Sequence, residues 1–157
     1  MLAVNRVSDL DWGGPGGCLE RLTGKWLLSR HITPGGRMEG FAEFTRAEGD
    51  VWLRYHEQGE LVLDSGRQLH ATRSFLFRAL NEGFSVHFDD ERASLFQEVC
   101  VTRVETLLIG QADHQCLEDR YSSVYEFSQD GTFSILHAVR GPRKDYISRT
   151  SFRRARE

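Results

Sequence analysis

Short alternating segments separated by turn residues constrain the fold of this chain more than any other feature. From Trp26 onward, apolar side chains recur at every second position, for example along residues 69–79. Such period-two alternation is typical of half-buried β-strands. Turn signals such as Pro34-Gly35-Gly36 and Asp64-Ser65-Gly66 interrupt the alternating segments at intervals of about 8–12 residues. The pattern predicts about nine or ten strands and almost no helix.

A sheet of this many short strands has two edges that must be protected, and closure into an up-and-down barrel removes both. Sequential hairpin connections without long crossovers favour a closed antiparallel barrel of about eight to ten strands. A sandwich of two sheets is the alternative all-β fold. One short helical turn is predicted near residues 18–23, with Gly24 ending it.

The chain has 157 residues and is 39% hydrophobic, which suits one domain with its own core. Its one low-complexity segment is Gly13-Gly14-Pro15-Gly16-Gly17, which we interpret as a hinge. No Lys-Ser or Lys-Thr pair follows this segment, so it is not a phosphate-binding loop. We therefore predict a flexible N-terminal arm over residues 1–18 and a barrel domain over residues 19–157.

The charge and cysteine content exclude several classes of function. A net charge of −3 argues against nucleic-acid binding, although seven basic residues face two acidic ones within residues 140–157. This basic segment suits an acidic partner or the acidic surface of the protein itself. Three cysteines without a C-x-x-C motif predict no zinc site and no disulfide framework. Free thiols, a charged N-terminus and short apolar runs predict a cytoplasmic protein without a membrane partner.

The tripeptide Gly24-Lys25-Trp26 opens the first predicted strand, directly after the predicted helical turn. This placement resembles the G-x-W signature of lipocalins and other calycin barrels. The resemblance implies that Trp26 plugs the barrel floor and that a cation from the last strand lies across its indole. Arg149 and Arg153 are the candidates for that cation.

Four segments together resemble an uncharacterised, mostly bacterial family, known only as a domain of unknown function with a calycin-like barrel. They cover nearly the whole chain from Leu19 onward. The segments are Leu22-Thr23-Gly24-Lys25-Trp26, Tyr55-x-Glu57-x-Gly59, His114-x-Cys116-x-x-Asp119-x-Tyr121 and Gly141-Pro142-Arg143-Lys144-Asp145-Tyr146. The resemblance implies the fold and transfers no activity to this chain.

Candidate binding residues are the polar side chains that share parity with apolar, inward-facing positions. A buried charge is costly unless it is paired, so we expect Glu57 and Arg73, on successive strands, to meet inside the barrel. The turn with Arg143 and Lys144 would form a lip that attracts an anionic group. The set predicts a site for a small, partly apolar and anionic molecule, although the pair could simply fill the interior or cap its rim. The inward-facing candidates are Tyr55, Glu57, Arg73, His114, Tyr121, Tyr125 and His137.

Three alternatives stay open at this point. An acid–base lyase or isomerase would use Glu57 as acid/base, Tyr55 or Tyr121 as donor and Arg73 as substrate anchor, and would need a raised Glu57 pKa in an open cavity. A homodimer or other interaction module would use an apolar patch with Trp52 and Val62 on the outer wall. Haem could be held by an interior histidine, His114 or His137, whereas no metal-ligand spacing is present.

Overall fold

The structure is a computed structural model that describes residues 12–47, 49 and 51–156. A 3-10 helix, Cys18–Leu22, precedes ten strands. The strands are β1 (Gly24–Thr33), β2 (Gly36–Arg46), β3 (Leu53–Leu63), β4 (Gln68–Leu80), β5 (Gly83–Phe88), β6 (Leu95–Val104), β7 (Leu107–Cys116), β8 (Asp119–Phe127), β9 (Phe133–Arg140) and β10 (Asp145–Arg154).

The ten strands form one closed antiparallel barrel in which each strand pairs with its neighbours in sequence. β1 and β10 close the ring, in a register that pairs Trp26 with Arg154 and Thr33 with Ile147. Closure gives every strand two partners, so no strand is left as an exposed edge. The predicted all-β barrel and its short helical turn are confirmed, and the two-sheet sandwich is wrong. Among the described residues, no helix is long and apolar enough to cross a membrane.

Aromatic side chains fill the end of the barrel beside the 3-10 helix, which we call the floor. Phe133 stacks on Phe152 with ring centroids 4.2 Å apart, and the edge of Phe133 meets Trp26 at 4.8 Å. Stacked and edge-to-face geometries at these distances are favourable, and each ring removes a large apolar area from water. The floor aromatics are Trp26, Phe44, Phe77, Phe84, Phe127, Phe133 and Phe152, all at most 4% exposed.

A cation from β10 does cover the indole of Trp26, but it is not one of the predicted residues. Arg154 lies over the ring with its guanidinium carbon 4.1 Å from the centroid, and it donates to the Thr23 carbonyl at 2.7 Å. Arg149 and Arg153 are exposed on the outer wall. They have odd numbers, whereas the inward positions of β10 are even, so their side chains point away from Trp26.

Part of the predicted N-terminal arm packs onto the floor instead of standing apart from it. Trp12 is 4% exposed, donates its indole N–H to the Ser128 carbonyl at 2.8 Å, and stacks on Trp26 with centroids 6.2 Å apart. Cys18 is fully buried. Residues 1–11 of the predicted arm lie outside the described residues.

A β-bulge in β6, opposite β5, breaks the period-two pattern of side chains. Val86 pairs with Gln97, and the next residue, His87, pairs with Leu95, so Phe96 is the extra residue. A bulge places two residues opposite one and re-aims the side chains. Phe96 and Gln97 are therefore both buried although they are consecutive.

Candidate functional site

A small cavity opens at the end of the barrel opposite the floor, and we call it the cup. Its volume is about 120 Å³, similar to an apolar cavity that holds one benzene ring. A narrower extension of about 20 Å³ reaches down to Tyr55, Tyr125 and Thr150. The barrel interior is thus filled by side chains at the floor and open at the cup. The cup is lined by Arg30, Ile32, Arg73, Phe75, Phe96, Tyr121, His137, Val139, Tyr146 and Ser148.

A buried ion pair separates the cup from the floor. Arg30 on β1 binds both carboxylate oxygens of Glu57 on β3, with N–O distances of 2.6 and 2.8 Å. Its Nε also donates to the Thr150 hydroxyl at 2.7 Å. This two-pronged geometry satisfies the carboxylate oxygens and much of the guanidinium, as a buried pair requires. Arg30 was not among the predicted site residues.

Glu57 also contacts its predicted partner. Arg73 faces Glu57 across β3 and β4 and reaches one of its oxygens at 3.4 Å. The Arg73 side chain is 43% exposed, and it lines the cup. Its guanidinium lies 5.3 Å from the centroid of Phe75. Arg73 is therefore a cation held against an aromatic wall at an open site.

The protonation state of Glu57 argues against the acid–base hypothesis. Burial alone would raise the pKa of this carboxyl, but the Arg30 hydrogen bonds and the charges of Arg73 and Arg30 lower it to about 2. Tyr55 also donates a short hydrogen bond to it. The criterion for catalysis was a raised pKa in an open cavity, yet Glu57 is 2% exposed and ionised. Glu57 therefore does not meet the condition set for an acid/base, and its contacts hold the two arginines.

A hydrogen-bond network on the other side of the barrel supports His137. Tyr125 donates to the Gln97 side-chain carbonyl at 3.0 Å, and the Gln97 amide donates to the Ser123 hydroxyl at 2.6 Å. Ser123 lies 2.6 Å from Nδ1 of His137. Burial, followed by the charges of Arg73 and Arg30, lowers the pKa of His137 to about 3, so the ring is neutral near pH 7.

The turn between β9 and β10 forms one side of the cup opening. Lys144 donates to the Tyr121 hydroxyl at 3.2 Å and lies 3.3 Å from a carboxylate oxygen of Asp119. Gly141 allows this approach, because a Cβ there would lie 1.9 Å from the other Asp119 oxygen. Arg143 lies exposed on the same turn and does not line the cup.

The predicted site residues therefore differ in their position relative to the cup. Arg73, Tyr121 and His137 line the cup, Lys144 borders it, and Arg143 lies outside it. His114 packs beside the cup, with its ring 5.4 Å from Phe96. The other predicted residues lie below the cup: Tyr55, Glu57 and Tyr125.

Sequence reasoning missed several residues of the site. Arg30 shares parity with Trp26 and Leu28, so its inward position carried a usable signal. Tyr146 has the same parity as Phe152 along β10 and could have been found in the same way. Phe96 and Gln97 could not have been found by parity, because the bulge interrupts it.

The cup does not suit the haem alternative. Its volume of about 120 Å³ is well below the roughly 300–1,000 Å³ of pockets for drug-sized ligands. Within the described residues, no group of three or more His, Cys, Asp or Glu side chains could hold a metal ion.

Trp52, which the dimer hypothesis places in an apolar patch on the outer wall, is in contact with two polar side chains. Trp52 packs against the ring of His87 at 4.8 Å and lies under the guanidinium of Arg78 at 5.6 Å. Trp52 and Val62 are both partly buried. The dimer hypothesis requires a contiguous exposed apolar patch at these residues, and it stays a prediction.

Comparisons with known proteins bear on the fold and the family. A redesigned β-barrel, mFAP1, bound to DFHBI is similar over 86% of this chain and 96% of that chain, with 9% identity and a TM-score of 0.40. EF1p2_mFAP2b bound to DFHBI is similar over 87% and 96%, with 9% identity and a TM-score of 0.39. Likeness at these scores carries no argument about a ligand. No curated protein gives a significant match. A family of unknown function, DUF6314, matches residues 22–154, and the chain belongs to that family.

Proposed function

We propose that this barrel binds a small, partly apolar anion in the cup. The observation that carries the proposal is Arg73, a half-exposed guanidinium that lines an aromatic cavity. Arg30 is the deeper cation of the cup, but Glu57 already occupies its guanidinium. The group left to meet an incoming anion is therefore Arg73, with Lys144 beside the opening.

The walls define the rest of the ligand. Phe75 and Phe96 stack with centroids 5.6 Å apart, and Tyr121 meets Phe96 edge-on at 5.5 Å. Ile32 and Val139 complete the apolar lining. Aromatic and aliphatic walls favour an apolar body, and the volume suits about one ring. Small aromatic or cyclic carboxylates combine these properties.

A wider groove on the outer wall is a weaker candidate. Its volume is about 370 Å³, and small polar side chains of Ser29, Ser134 and Ser151 line it. Ser29 is already bonded to Glu39 at 3.0 Å. Arg153 is the one cation among its lining residues, and it is exposed, so water competes for any anion there.

The proposed location is the cytoplasm. Cys18, Cys100 and Cys116 are all free thiols, and two of them, Cys100 and Cys116, are exposed. Free exposed thiols are typical of a reducing compartment.

The test is titration of the protein with benzoate, phenylacetate and cyclohexanecarboxylate by calorimetry and by amide NMR. We expect saturable binding of at least one acid, with shifts at cup residues, and a loss of at least about tenfold in affinity for Arg73→Gln. Arg78→Gln is the matched control, since Arg78 lies on the same strand and on the outer wall. Absence of binding to all three acids, or equal binding by Arg73→Gln, would show that the proposal is wrong.

A further inference from the structure

The hydrogen-bond network behind the cup determines which nitrogen of His137 carries the proton. Tyr125, Gln97, Ser123 and His137 form one chain of contacts from the interior to the cup. Each of the first three groups has a limited set of donors and acceptors. The direction of the whole chain therefore follows from the group at its buried end.

Tyr125 sets the orientation of the Gln97 amide. The phenol is 3% exposed, and burial raises its pKa, so it keeps its proton at neutral pH. Within the described residues, the Gln97 side chain is the one hydrogen-bond partner of this hydroxyl. If the amide were reversed, the phenol would accept from the Gln97 NH2 and its own proton would lack a buried acceptor, which is costly. The Gln97 carbonyl therefore faces Tyr125, and the Gln97 NH2 faces Ser123.

Ser123 then sets the tautomer of His137. Its hydroxyl oxygen accepts from the Gln97 NH2, so its single proton is available for Nδ1 of His137 at 2.6 Å. A nitrogen that accepts this bond has no proton of its own, and the neutral ring must carry its proton on Nε2. In the described part of the chain, Nε2 has no hydrogen-bond partner, while the His137 side chain lines the cup.

We propose that His137 is a fixed Nε2–H donor which, together with Arg73, makes the cup selective for a carboxylate over a neutral amide of the same shape. The two side chains line the same cavity. Tyr121 adds to this preference, because its oxygen accepts from Lys144 and its proton is left to donate. The ligand half of this inference rests on the proposed function, whereas the tautomer can be measured without any ligand.

The first experiment measures the tautomer by 15N–1H NMR of the histidine side chains in the ligand-free protein. We expect the His137 signals of a ring protonated on Nε2 alone, and a mixture of tautomers in Ser123→Ala. The matched control is Ser122→Ala, because Ser122 is the adjacent residue of β8 and bonds to Asp113 on the outer wall. Protonation of His137 on Nδ1 in the native protein would show that the Gln97 amide is reversed and would overturn the inference.

The second experiment compares benzoate with benzamide, which has nearly the same shape and no charge. We expect the native protein to bind benzoate more tightly, and His137→Phe to lose about tenfold in benzoate affinity. His137→Gln, whose amide can donate from a similar position, should recover part of that loss. Equal benzoate affinity in the native protein and His137→Phe would overturn the inference while the proposed function stands. If benzoate and the other two acids fail to bind at all, the proposed function is wrong, and the NMR result is unaffected.

Discussion

At the scale of single residues, the two titratable groups of the interior are each held in one protonation state. Glu57 is ionised and held by Arg30 and Arg73, while His137 is neutral and held by Ser123. Neither group has a pKa near neutrality, where general acid–base catalysis is most efficient. In the function that we propose, the two groups hold a fixed pattern of donors for a ligand.

The Arg30–Glu57 pair should be sensitive to removal of one partner. Glu57→Gln leaves the buried Arg30 without its counter-ion, and we expect a loss of about 3–5 kcal/mol in the free energy of unfolding. Urea denaturation followed by tryptophan fluorescence measures this loss. Glu60→Gln is the control, because Glu60 lies on the same strand with a 64% exposed side chain, and it should leave the midpoint unchanged. Equal midpoints for both variants would contradict a structural role for the pair.

The same carboxylate predicts how stability depends on pH. The pKa of Glu57 is lowered from 4.5 to about 2 in the folded protein, so its contribution is fully present above pH 4.5 and is lost as the pH falls toward 2. A shift of this size corresponds to about 3 kcal/mol. His137, whose pKa falls from 6.5 to about 3, also destabilises the folded state in acid, beginning below pH 6.5.

Comparison of two proteins separates these contributions. Native protein and Glu57→Gln are unfolded in urea between pH 7 and pH 2.5, and the native protein should show the steeper loss below pH 4.5. Between pH 6.5 and pH 4.5 the slopes should agree, because His137 is present in both proteins. Parallel curves over the whole range would mean that the Glu57 pKa is not lowered by folding.

At the scale of strands, parity of side chains is the property that sequence reasoning could use. It placed Glu57 opposite Arg73 and put His137 and Tyr121 on inward faces, because an uninterrupted strand alternates strictly. It could also have selected Arg154, which shares parity with Phe152, over Arg149 and Arg153. It could not anticipate Phe96 and Gln97, because a bulge depends on the fit between neighbouring strands. The pairing of Arg30 with Glu57 reaches across β2, so it depends on the registers of β1, β2 and β3.

Arg154 predicts a specific contribution of the last strand to the floor. Its guanidinium covers Trp26 and donates to the Thr23 carbonyl, so Arg154→Leu should lose about 1–2 kcal/mol of stability. Arg153→Leu is the neighbouring control with an outward side chain, and it should have little effect. Thermal unfolding by circular dichroism measures both variants. A larger effect of Arg153→Leu than of Arg154→Leu would contradict the observed register of β10.

At the scale of the whole molecule, the barrel is divided into a filled floor and an open cup. The floor aromatics are almost fully buried, whereas Phe75 and Tyr121 at the cup are only partly buried. The Arg30–Glu57 pair lies between the two regions. Stability and binding should therefore depend on different ends of the same barrel.

Two phenylalanine substitutions test this division. Phe133→Ala removes a ring that contacts Trp12, Trp26 and Phe152, and we expect a loss of about 3–5 kcal/mol in stability. Phe75→Ala should cost less stability and should weaken benzoate binding more than it shifts the unfolding midpoint. Chemical denaturation and calorimetry on both variants provide the measurements. If Phe75→Ala were the more destabilising of the two, the floor would not be the main source of stability.

The packing of Trp12 has a practical consequence for where this protein can be shortened. The family match covers residues 22–154, and a fragment cut to those limits would omit Trp12 together with most of the 3-10 helix. The rings of Trp26, Phe127 and Phe133, which Trp12 covers, would then meet water. Such a fragment should be prone to aggregate. A fragment that begins before residue 12 should keep these rings covered and should aggregate less.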